Sequence, residues 1–163
     1  MHEMDLLGVH VEMPANAPMI VLRERGGAGK TVPIFIGAPE ATAIALALDG
    51  VETPRPMTHD LIRDLLEMFA ADVERVVITE LHDKTFYAEL RMVRDGEPLV
   101  ASCRPSDAVA IAVRVGAPIY VSDQVLNDAG VRDGDNSDDA EPEEVVEEFK
   151  EFLDTISPDD FGD

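Results

Sequence analysis

Two short segments constrain this chain more than any other: Glu40–Leu46 (EATAIAL) and Asp107–Val113 (DAVAIAV). They align at an offset of 67 residues (107 − 40), with four of seven positions identical and two more conservative. After its first acidic residue each is apolar or small on nearly every helical side, so a helix built from it must be buried. The alanines permit close approach to a sheet or to the twin helix. Only the first turns can reach solvent.

The same elements precede each segment. Apolar alternation predicts strands at 4–13, 19–24 and 31–36, then a helix from Pro39 to Leu48 closed by Asp49-Gly50. It predicts strands again at 73–81, 85–92 and 98–103, then a helix from Ser106 to Val115 closed by Gly116. Asp95-Gly96 is the hairpin signal between the last two strands. The fold class is α+β: an internal duplication of strand-strand-strand-helix units, 4–50 and 72–116, whose mixed or antiparallel sheets surround the buried Ala-rich helices. Between the units, Thr58 is placed to cap a helix running to Phe69. Leu61, Leu65, Met68 and Phe69 form its apolar stripe, widened by Ile62 and Leu66. A short strand at 117–122 and an exit loop from Leu126 close a domain over 1–130.

Net charge is −21, against the basic excess usual in nucleic-acid binders. The charge is uneven. Residues 133–163 hold 14 acids and one base, Lys150, which leaves 20 acids (34 − 14) and 12 bases (13 − 1) in 1–132. A local basic patch in that body is compatible with this balance. Residues 131–144 read as an acidic linker. Residues 145–157 read as an amphipathic helix, with Val145, Val146, Phe149, Phe152, Leu153 and Ile156 on one face, to dock on the body or on a protein partner. The single Cys103 excludes an internal disulfide framework and a Cys-based zinc site. There is no apolar run of membrane-spanning length and no N-terminal signal pattern, so a cytoplasmic protein without membrane attachment is expected.

Read together, "VPIFIG" with "EATAIALAL", "PRPMTHDLI", "TFYAEL", and "CRPSDAVAIAVR" with "APIYV" resemble the bifunctional nuclease family over about residues 4–126. These motifs agree in order and spacing, which is more specific than any one alone. The tail "EEFKEFLDTISPDDF" is similar to an extension of actinobacterial members. The resemblance implies an α+β fold, a homo-oligomer, and cleavage of both DNA and RNA. It brings no assigned catalytic set. Departures are Phe35, where the family often has Trp, and Cys103, where it often has Ala.

No established hydrolase motif is present: no His-Glu-x-x-His, no phosphate-binding Gly-Lys-Ser/Thr loop, no Gly-x-Ser-x-Gly. "GGAGK" at 26–30 has the wrong spacing for the second of these. The candidates are therefore single residues at helix starts. Imidazole as a side-chain type titrates near neutrality, so His59 is a candidate general acid or base. Glu40, Asp60 and Asp107 suit water contacts or a divalent metal, Mg²⁺ or Mn²⁺. The competing reading is that these acids merely complement helix N-termini. Arg55 and Arg104, each before a proline, with Ser106, are placed to hold phosphate; the competing reading pairs each arginine with a nearby acid. Tyr87 is a base-stacking candidate or a strand aromatic in a core or interface. The favoured function is a metal-assisted phosphodiesterase of low sequence specificity. The alternative is a non-enzymatic oligomeric binding or regulatory protein with an anion pocket.

Overall fold

The computed structural model describes residues 1–132. The acidic linker beyond 132 and the amphipathic helix expected at 145–157 lie outside the described residues. The elements in chain order are β1 (His2–Glu12), β2 (Ala17–Glu24), β3 (Thr31–Phe35), α1 (Ala38–Leu48), α2 (Thr58–Met68), β4 (Asp72–His82), β5 (Thr85–Arg94), β6 (Glu97–Cys103), α3 (Pro105–Val115), β7 (Ile119–Val121) and α4 (Asp123–Ala129). An α+β fold results, with the three-strands-then-helix order given twice.

The strands form one mixed seven-stranded sheet, ordered β3-β2-β1-β7-β4-β5-β6. β7 joins the two three-stranded units, pairing antiparallel with β1 and parallel with β4. Every other pairing is antiparallel. Period-two alternation decides the faces. Ile20, Leu22, Val32 and Ile34 from one unit, and Val76, Ile78, Ala88 and Leu90 from the other, join a single core with α1 and α3. α1 packs on β1 and β2, α3 on β4 and β5, and the two helices pack on each other. Ile44 and Val109 are fully buried where they do so. Truncating Ile44 to Ala costs about 2–5 kcal/mol, because the close-packed surroundings collapse only partly into the hole.

Local chemistry sets the joints. Asp95 and Gly96 both take positive φ (52° and 82°), as a two-residue hairpin requires. Pro39 and Pro105 occupy the first turns of α1 and α3, where a missing N–H costs nothing. The N-cap positions, Gly37 and Arg104, make no side-chain capping bond.

Three local expectations change. Thr58 does not cap α2: Met57 holds the N-cap position, and Asp60 Oδ2 accepts the Met57 N–H at 3.0 Å. Asp60 thus makes the backward half of a capping box from the third helical position. The apolar stripe of α2 is mostly turned outward. Ile62 and Leu66 reach the core, whereas Leu61, Leu65, Met68 and Phe69 are exposed. The exit loop is instead α4, too short and too sparsely apolar to show helical periodicity. Ser122 caps it by accepting the Val125 N–H at 3.1 Å, and Val125 and Leu126 enter the core. Val131 then bridges to Thr31, so the ordered body reaches the first residue assigned to the linker.

Candidate active site

The starts of α1, α2 and α3 bring four side chains together. Asp107, in the first turn of α3, accepts from His59 through Oδ1, with Nε2 at 2.9 Å when that nitrogen carries the proton. Asp107 also takes two bonds from Arg104, Nε to Oδ2 at 2.7 Å and an Nη2 contact to Oδ1 at 3.1 Å. The same Nη2 donates to Glu40 Oε1 at 2.8 Å, tying α3 to the first turn of α1. One arginine therefore bridges the two carboxylates that the repeat places at matched positions. Glu40 can curl back over its own helix start because residue 37 is glycine; a Cβ there would collide with Glu40 Oε2.

Exposure grades across this cluster. The Arg104 side chain is 64% exposed, Asp107 24%, Glu40 16% and His59 9%. Burial pushes the Asp107 carboxyl up. The hydrogen bonds and charges of Arg104 and His59 outweigh this and hold it below its ordinary range. Both carboxylates raise the Arg104 guanidinium in turn, Asp107 most. Cys103 lies nearby, but burial and the Asp107 charge push its thiol up, which makes it a poor nucleophile.

Asp60 is not in the cluster, although it neighbours His59. It turns to the other end of α3, where Arg114 Nε donates to its Oδ1 at 2.7 Å. Arg114 is 5% exposed and also donates to the carbonyls of Ala110 and Ala43, at 2.9 and 3.0 Å. Burial raises the Asp60 carboxyl, and the bonds from Arg114 and the Met57 N–H more than reverse the shift. This buried fork ties α2, α3 and α1 together. The expected metal set of Glu40, Asp60 and Asp107 is therefore not assembled, and among the described residues no three His, Cys, Asp or Glu side chains are grouped so as to hold a metal ion. A half-open pocket of about 230 Å³ lies beside Asp60, Arg63 and Arg114, not at the four-residue cluster.

The expected phosphate contacts also divide. Arg104 is exposed at the cluster. Ser106 is buried in the first turn of α3, and its side chain makes no bond to the cluster among the described residues. Arg55 is exposed in the 51–57 connector, and its side chain makes no bond among the described residues. Tyr87 is 45% exposed, which removes a place in the core and leaves the base-stacking and interface readings. The sequence reading missed Arg114. Its signal was present: a charged residue in the last turn of an otherwise apolar helix has to be paired.

Comparison with known proteins then places the chain. The bifunctional nuclease domain pattern matches residues 20–134, more than half of its length. The chain belongs to the bifunctional nuclease domain family. It is 50% identical over 165 aligned residues to an uncharacterized protein of Mycobacterium tuberculosis, covering 99% of this chain and 98% of that one. It is 28% identical over 128 residues to "Bifunctional nuclease 1" of Arabidopsis thaliana, covering 77% of this chain and 39% of the plant protein. The figures for "Bifunctional nuclease 2" of Oryza sativa are the same. All of Glu40, His59, Arg104 and Asp107 fall inside the family match. No described helix is long and apolar enough to cross a membrane.

Proposed function

We propose that this chain is a nuclease hydrolysing phosphodiester bonds of DNA and RNA with low sequence specificity, and that Glu40, His59, Arg104 and Asp107 form its active site. The observation that carries the reading is their convergence from three separate helix starts in a chain of this family. Arg104 presents an exposed guanidinium, whose planar fork suits two phosphate oxygens. His59 is the proton-carrying group. Asp107 orients its ring, and in hydrolysis His59 takes the proton from the water whose oxygen bonds to phosphorus as the P–O bond to the leaving nucleotide breaks. When a phosphate draws Arg104 away, Glu40 and Asp107 are left as two adjacent carboxylates. That pair suits a single Mg²⁺ or Mn²⁺ held jointly with the phosphate, which would supply charge at the leaving oxygen. Asp60 has no part in this chemistry. A homo-oligomeric state, a cytoplasmic location and a protein partner for the segment 145–157 belong to the same proposal; light scattering tests the first.

The alternative, a non-enzymatic binding protein with an anion pocket, is favoured by one feature: Arg104 is already neutralised by two carboxylates. Purified protein incubated with single-stranded RNA and DNA, with Mg²⁺, Mn²⁺ or chelator, separates the two. The nuclease reading predicts cleavage that drops about a hundredfold in Arg104→Ala. Undiminished cleavage in that variant removes the assigned site, and no cleavage by the parent under any of these conditions removes the nuclease reading.

A further inference from the structure

The sheet has a second face, away from α1 and α3. On β4 and β5 it carries Arg75 and the buried Val77, and Tyr87, Glu89 and Arg91, which alternate with the core residues Val76, Ile78, Ala88 and Leu90. Arg75 and Arg91 stand directly opposite each other in the antiparallel register. Like charges so placed repel, and strand pairs normally avoid them. Arg91 is relieved by Glu89, with bonds of 3.1 and 2.9 Å. Arg75 is not relieved. Its side chain makes no hydrogen bond or ion pair among the described residues, and its Nε is shut off from solvent without a partner. Arg25, Arg63, Arg94, Arg104 and Arg114 are all ion-paired within the chain. In a body with an acidic excess, a shielded, unneutralised guanidinium beside a second one has the donors and the charge to hold an anion.

We infer that Arg75 and Arg91 form a phosphate-holding site on this second sheet face, and that the anion is the backbone of a single-stranded nucleic acid. The choice of anion rests on the nuclease reading above. Two further features support a strand rather than free phosphate. Tyr87 is 45% exposed on the same face, four residues along β5 from Arg91, which is about 13 Å at strand rise. An exposed ring at that distance from a phosphate contact is the arrangement by which a sheet stacks a base while holding the backbone. Val100, opposite Arg91 on the edge strand β6, is 60% exposed and leaves the approach open. The site lies apart from the four-residue cluster and would bind the strand outside the point of cleavage.

The test is fluorescence anisotropy of a labelled single-stranded oligonucleotide in chelator, titrated with the full chain over a range of salt. Arg75→Gln with Arg91→Gln should weaken binding about tenfold and flatten the log Kd–log salt slope by about 1.4, for two lost phosphate contacts on a single strand. Tyr87→Ala should weaken binding with little change of slope. Arg75→Lys keeps the charge without the fork and should lie between parent and double variant; it also guards against loss of folding. If the parent binds and the double variant binds equally with the same slope, this site is overturned while the nuclease reading stands. If the parent binds no nucleic acid, that reading fails and takes this one with it. If the double variant changes only the sedimenting mass, the face meets a second copy and the nucleic-acid assignment is wrong.

Discussion

The two ends of α3 carry the same chemical pairing, an arginine on an aspartate, and put it to different uses. At the C-terminal end Arg114 is 5% exposed and its donors reach Asp60, Ala110 and Ala43. At the N-terminal end Arg104 is 64% exposed and bridges Asp107 and Glu40 where solvent has access. In the first pair the guanidinium is sealed among three acceptors and holds helices together, although Asp60 itself is 21% exposed at the edge of the half-open pocket. The second can exchange its partners for a ligand. Burial, not residue type, separates a structural ion pair from a candidate site.

The largest effect should come from Arg114. Arg114→Met leaves the Asp60 carboxylate and two carbonyls without their donor, and should cost about 3–5 kcal/mol in urea unfolding. A loss under about 1 kcal/mol would mean that the sealed pair holds nothing. Arg104→Ala should reverse the pattern. Stability should change by less than about 1 kcal/mol, as for an exposed pair, while kcat/KM for oligonucleotide cleavage falls about a hundredfold, roughly 2.7 kcal/mol of transition-state stabilisation.

Asp60→Asn should destabilise by about 1–3 kcal/mol at pH 7, since it leaves Arg114 with a weaker acceptor. The pH dependence sharpens this. The folded-state pKa of Asp60 lies below its ordinary 3.8, so its contribution is complete above that value and is lost as pH falls through the folded pKa. The gap between parent and Asp60→Asn should therefore be widest near neutrality and close as acid titrates the carboxylate. A gap that widens in acid would show the sign to be wrong. Thr58→Ala is the smallest test. Met57, not Thr58, holds the N-cap position, so thermal unfolding should shift by no more than about 0.5 kcal/mol, against about 1 kcal/mol for a true cap.

The strands and the paired helices were legible because alternation and all-round apolarity are local signals. The matched acids Glu40 and Asp107 were legible because the repeat aligns them. What was not legible depends on how helices cross. His59 and Asp60 are neighbours in sequence, yet their side chains reach opposite ends of α3. That divergence follows from the seating of α2 across α3, which no window around residue 60 contains. The burial of Ser106 was hidden for a related reason: in the first turn of a helix, one position faces solvent and the next faces the core. α4 was missed because seven residues with two buried apolar positions carry too little periodicity to register.

The most direct test sets Asp107→Asn beside Asp60→Asn in one cleavage assay on single-stranded RNA and DNA, with both variants shown to be folded. With the four-residue cluster as the active site and the sealed pair as a structural tie, Asp107→Asn should lose at least about a hundredfold in kcat, and Asp60→Asn should stay within a few-fold of the parent. Equal loss in both variants, or cleavage that persists in Asp107→Asn, would contradict that assignment.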